Sequence, residues 1–172
     1  ANSLDTITVP RGYSWHTVVS WGDPLWSGAD EFDHATRGTG ASQELAFGDN
    51  NDGMTLFQHD GHYLLALNNE YTNLKIIHGN RDSGKPESPD DVRKNMAAQG
   101  NTVVELANRG GRWGIVKDSP FNRRITPNTP MEITGPAAGH ELMKTSADPS
   151  GTLSLGTWNN CANGSTPWGT YL

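Results

Sequence analysis

Glycine and proline punctuate this chain throughout, with 20 Gly and 10 Pro spread over 172 residues. Both interrupt regular helix, glycine through its backbone freedom and proline through its missing N–H. A coiled coil is therefore excluded. A membrane-spanning helix is excluded too, because the longest apolar runs, such as Leu64 to Leu67, fall far short of about 18 residues. Between the breakers lie short runs rich in β-branched and aromatic residues, the pattern of an all-β protein. Six Trp, four Tyr and four Phe are too many rings for a solvated coil.

The runs predict specific elements. Tyr13 to Trp21 reads as a strand. Met54 to Gln58 and Tyr63 to Leu67 read as a hairpin closed by Asp60-Gly61. Thr102 to Ala107 and Arg112 to Lys117 read as a second hairpin around Gly110-Gly111. Thr152 to Trp158 and Trp168 to Leu172 read as a third pair. Hairpins recurring every 45–50 residues or so fit propeller blades, although a sandwich gives similar spacing. One short helix is expected near 89–99, with Ser88 as N-cap, Pro89 in the first turn, and Val92 and Met96 sharing a face. One further helical turn is expected within 140–146. Long loops over 23–44, 68–87 and 119–139 carry Trp26, Phe32, Phe121 and Ile133, which implies that they dock.

Charge narrows the function. The formal net charge is −6, and no run of basic residues exceeds two, so a nucleic-acid-binding face is disfavoured. The single cysteine, Cys161, cannot form an internal disulfide. It is a buried thiol, a nucleophile or a metal ligand. It sits among Asn159, Asn160, Asn163, Ser165 and Thr166, whose oxygen and amide groups would suit a transition metal beside a thiolate. Glu70 follows a predicted strand with Asn68, Asn69 and Thr72 nearby, a donor mix for calcium or simply a solvated strand end. FGDNNDG (47–53) is only superficially a calcium loop and reads better as a turn feeding the next strand. Arg124, beside Arg123, could grip a phosphate with its planar fork or could be a surface cation. His140 reads as locally satisfied or as a ligand. No P-loop, nucleophile elbow or HExxH motif occurs.

Several of these segments occur together in one family. FGDNNDG (47–53), LNNEYTN (67–73), VRKNMAAQG (92–100), NRRIT (122–126), NTPMEITGPAAGH (128–140) and NNCANGSTPWGTYL (159–172) give the chain a resemblance to PhoX-type alkaline phosphatases. The resemblance runs from about Tyr13 to Leu172 and is most specific over the last 50 residues or so. It implies a β-propeller with long decorated loops and a site of iron and calcium ions acting on phosphate esters. It also implies twin-arginine (Tat) export and a periplasmic or secreted location. It makes Cys161 the iron ligand, Glu70 a calcium-site ligand or support, and Arg124 a candidate phosphate-binding residue.

Family members are several hundred residues long, so residues 1–172 are expected to be the N-terminal portion of one propeller-type phosphatase domain. The chain opens on Ala1 without an apolar signal segment, as a processed or trimmed chain would. Its expected partners are a phosphate ester substrate and the C-terminal remainder of the same protein, with no nucleic acid and no transmembrane segment. The expected activity is that of a metal-dependent phosphoric monoester hydrolase, with this piece alone inactive. A second reading is a non-catalytic binding or assembly module, with Trp15, Trp21 and Trp26 forming an exposed face. A third is a calcium-dependent propeller hydrolase acting on esters or lactones.

Overall fold

A computed structural model describes Ser3 and residues 5–172 of the chain. Ala1, on which the expectation of a processed terminus rests, lies outside them. Among the described residues, no helix is long and apolar enough to cross a membrane.

The two hairpins form as expected. β1 (Asn51–His59) and β2 (His62–Asn69) meet at Asp60-Gly61, with φ of 46° and 85°. β3 (Gly100–Arg109) and β4 (Arg112–Ile115) meet at Gly110-Gly111, with φ of 64° and 90°. Two consecutive left-handed residues make the turn whose twist matches the flanking strands. The two hairpins then join, because β2 pairs antiparallel with β3 from Tyr63↔Leu106 to Asn69↔Gly100. They are therefore parts of one sheet, not of separate blades. β3 shares its outer edge. Leu106 to Arg109 pair with β4, and Asn101 to Val103 pair with β5 (Arg123–Ile125).

The sheet is open, with strand order β1-β2-β3-β4 and β5 attached to β3. A second sheet of two strands pairs β6 (Pro130–Glu132) with β7 (Leu153–Leu155). This corrects the expected third pair. The 153–155 strand turns to residues 130–132, and the C-terminal segment contributes an isolated bridge between Ser165 and Tyr171. Tyr13 to Trp21 forms no strand. It runs outside any strand, with Val18 and Val19 packed against the core and the Trp113 N–H donating to His16 Nε2 at 3.1 Å.

α1 (Gly40–Gln43) and α2 (Leu74–Ile77) are single turns. α3 (Pro89–Ala97) is the expected helix, and the Asp91 N–H donates to the Ser88 hydroxyl at 3.1 Å. Its inner face differs from expectation. Val92 is half-exposed, while Asp91, Lys94 and Ala97 are buried. A buried ion pair, treated below, overrides the apolar stripe. The turn expected within 140–146 is a 3-10 helix over Glu141–Met143.

The core lies on one sheet face. Leu25, Phe47, Leu67, Val104 and Leu106 form it, with Val19, Trp26 and Trp113 packed around. Trp21 is also turned inward, its indole N–H bonded to Gln43 Oε1 at 2.7 Å and its ring edge-on to Phe32. Of the three tryptophans expected to form a binding face, Trp15 is exposed, whereas Trp21 and Trp26 are partly buried. That removes the main support for the non-catalytic module.

Gly100 ends the helical segment and starts β3 with φ of 104°. A Cβ there would run into the Ile125 carbonyl on the neighbouring strand. Gly100→Ala should therefore cost about 2 kcal/mol through backbone strain and steric conflict. A thermal midpoint equal to wild type would contradict this.

Candidate functional site

The start of β1, the end of β2 and the start of β3 lie side by side, and asparagines crowd there. Successive strand residues face opposite ways, so Asn68 and Asn69 serve different faces. Asn69 is fully buried on the core side. Its amide donates to Asn51 Oδ1 at 3.0 Å, and its oxygen accepts from the Thr102 hydroxyl at 2.6 Å and Arg124 Nη1 at 2.9 Å. Asn68, also buried, accepts from Asn101 Nδ2 at 3.2 Å and donates to the Ala162 carbonyl at 3.0 Å. Both asparagine oxygens are thus engaged by the protein. Asn69 Oδ1, with two donors, has no lone pair left for the cation expected beside Glu70, whereas Asn68 Oδ1, with one, keeps a second.

The Cys161 segment rests on this sheet end. The β1–β2 register shifts between Asp52 and Met54, and Gly53 sits in the irregularity. A Cβ on Gly53 would lie 2.6 Å from the Cys161 carbonyl oxygen, so only glycine lets the segment approach. Asn163 donates to the Thr55 hydroxyl at 2.5 Å, and the Tyr171 hydroxyl donates to the Gly53 carbonyl at 2.5 Å. Burial pushes the Tyr171 phenol above its usual pKa. Between this segment and the sheet lies a cleft of about 460 Å³, lined by Asn68, Asn101, Ile125, Met131, Asn160 and Tyr171 among others. Within the described residues Cys161 is exposed, so no part of this chain buries its thiol.

Glu70 leaves β2 at the same end. Its N–H donates to the Asn50 carbonyl at 3.0 Å, and its carboxylate makes no hydrogen bond or ion pair among the described residues. FGDNNDG feeds β1 as expected, but the strand already begins at Asn51 and the bend is confined to Asp49 and Asn50, with Asp49 accepting the Asn73 N–H at 2.8 Å. Cys161 and Glu70 therefore lie toward one end of the sheet, where Asn68 bonds the residue after Cys161 and Glu70 follows Asn69 out of β2.

Arg124 is placed differently from a phosphate grip. Nη1 donates to Asn69 Oδ1, Thr102 Oγ1 at 2.6 Å and the Asn101 carbonyl at 3.1 Å. Nη2 donates to the carbonyls of Ala97 at 2.6 Å and Gln99 at 3.0 Å. The residue keeps some exposed surface, yet its guanidinium is enclosed, and burial pushes its pKa down to about 10. It remains a cation at neutral pH. Residue type alone could not reveal this, because an Arg-Arg pair looks the same on a surface and in a core.

Other groups do less. Glu105 accepts from the Ser119 hydroxyl at 2.5 Å and lies 2.6 Å from His62 Nδ1. The carboxylate stands between serine and histidine, so the hydroxyl bonds a carboxylate and not the imidazole, unlike a serine–histidine pair. His140 is satisfied locally, accepting the Leu142 N–H at 3.2 Å. No group of three or more His, Cys, Asp or Glu side chains converges among the described residues. An exposed thiol and an unengaged carboxylate offer donors of the right chemistry, but these residues do not by themselves make up a metal centre.

Comparison with known proteins accords with this geometry. A structure of Pseudomonas fluorescens PhoX in complex with vanadate, a transition state analogue, is similar at 51% identity and a TM-score of 0.87. The match covers 97% of this chain and 29% of that one, so the chain spans under a third of that protein's length. A comparison with curated proteins finds no match. The family model described as alkaline phosphatase PhoX matches residues 1–172. With every residue inside that match, the chain belongs to the PhoX alkaline phosphatase family.

Proposed function

We propose that this chain is the N-terminal part of a metal-dependent phosphomonoesterase that releases phosphate from organic phosphate esters. The full-length family match carries the reading. The half-identical neighbour, solved with a transition state analogue, supports it. In this reading the four-stranded meander β1 to β4 is one blade of a propeller. The remaining blades, with most of the site, come from sequence outside residues 1–172. Localisation is periplasmic or secreted, after Tat export.

The metals are iron and calcium, as the family resemblance implies. Cys161 offers a thiolate to iron, and Glu70 a carboxylate to calcium or to a residue that binds it. What the chain itself does is placement. The Gly53 irregularity seats the Cys161 loop, and Asn68 ties it to β2, the strand that Glu70 follows. Arg124 enters as the residue that holds this strand end in place. Both its terminal nitrogens are already bonded within the chain, which speaks against a phosphate grip.

The test uses the complete protein with its native metals and a chromogenic phosphate ester. Cys161→Ala should lower kcat/KM by about a hundredfold and reduce the iron content. A metal-replete complete protein without phosphatase activity, or a Cys161→Ala variant as active as wild type, would sink the reading.

A further inference from the structure

We propose that Asn68 is a positioning residue that sets where Cys161 stands. The proposal rests on the phosphatase reading above for its catalytic consequence, though not for its geometry. Residues 156–164 contain no helix or strand, and Trp158, Cys161 and Ala162 are exposed. Such a loop has little packing to fix it. Asn159 holds a left-handed backbone, with φ of 59°, two residues before the cysteine. The loop's own Asn160 turns inward and accepts the Thr157 hydroxyl at 2.5 Å.

Two side-chain bonds anchor the loop to the sheet. One, from Asn163 to Thr55, comes from the loop itself. The other comes from the sheet, where Asn68 Nδ2 donates to the carbonyl of Ala162, the residue after Cys161. Asn68 is suited to the task because it cannot move. It lies in β2 with 2% of its surface exposed, paired across to Asn101 on β3. Asn101 Nδ2 donates to its oxygen, so the amide orientation is fixed by both ends. A reversed amide would set oxygen against the Ala162 carbonyl and nitrogen against the Asn101 amide. The neighbour Asn69 is clamped in turn by Arg124 and Thr102. The rigidity of the sheet end therefore reaches the residue after Cys161 through this amide, with Asn163, two residues past the cysteine, also holding the loop.

Losing that bond should let the loop drift while the sheet stays folded. A displacement of about 1 Å at a catalytic group is enough to cost large factors in rate. The experiment compares wild type, Asn68→Ala and the core variant Leu106→Ala in the complete protein. Three quantities are read: kcat and KM separately, thermal midpoint, and the rate at which iodoacetamide alkylates Cys161, followed by mass spectrometry of its peptide.

Asn68→Ala should lower kcat about tenfold with little change in KM. It should also raise the alkylation rate about fivefold, because the thiol leaves its fixed setting. Leu106→Ala should lower the thermal midpoint and leave both readouts of folded protein near wild type. The proposal fails if Asn68→Ala changes neither kcat nor alkylation, or if both variants change them in proportion to lost stability. If wild type hydrolyses no phosphate ester while Asn68→Ala still alters alkylation, the positioning role stands and the phosphatase reading falls.

Discussion

Replacing Arg124 with alanine should destabilise the protein by about 3–4 kcal/mol, read as a lowered urea midpoint. The guanidinium is the common partner of three elements. It closes the C-terminal turn of α3 through Ala97 and Gln99, the start of β3 through Asn101 and Thr102, and the end of β2 through Asn69. Alanine would leave those carbonyls facing a void with no donor, and a buried acceptor without a partner costs about 1–3 kcal/mol. Arg124→Lys should recover only part of the loss, because an ammonium group cannot span two sets of acceptors with a planar fork. If Arg124→Ala unfolded at the wild-type midpoint, the guanidinium would not be the tie described. A phosphate-binding arginine would instead show a raised KM with stability kept.

Asp91→Asn should cost about 3–5 kcal/mol, since removing one member of a buried ionic cluster leaves the others uncompensated. Asp91 is 1% exposed and accepts from Arg81 Nε and Nη2, the latter at 2.7 Å. Lys94, equally buried, lies 3.9 Å away, its ammonium donating to the Ile77 carbonyl at 3.3 Å. His78 is fully buried beside them, and burial together with the Lys94 charge holds its pKa below the usual value. It therefore adds no further cation at neutral pH. The Arg81 hydrogen bonds hold the Asp91 carboxyl well below its ordinary 3.8. A depressed carboxylate contributes stability that is complete above the unfolded value and is lost as pH falls through the folded one. Wild type should therefore lose stability on acidification below about pH 4, and Asp91→Asn should lack that part of the loss. Parallel pH–stability curves for the two proteins would refute the assignment.

Much of the sheet was legible because its signals are local. Asp60-Gly61 and Gly110-Gly111 specify left-handed turns, and Ser88-Pro89 specifies a helix start. The pairing of β5 with β3 and of β6 with β7 joins residues about 20 to 25 positions apart across other turns and elements, so no single tight turn specifies it. The predicted third pair failed for that reason, since Leu153 to Leu155 found Pro130 to Glu132 instead. At the site, Cys161 and Glu70 stood out by residue type. The network that places them did not, because an asparagine's side-chain partners are set by the fold and not by its neighbours in sequence.

β1 has a further consequence for handling the chain by itself. It is a nine-residue edge strand, with Met54 and Leu56 each more than half-exposed along it. Such an edge can add a strand from a second copy, and mutual repulsion between copies opposes this in solution. That repulsion comes from a formal net charge of −6, and it vanishes near the pI of about 5.4. The isolated chain is thus a colloid that mild acid and high salt should both precipitate, whatever they do to its folding.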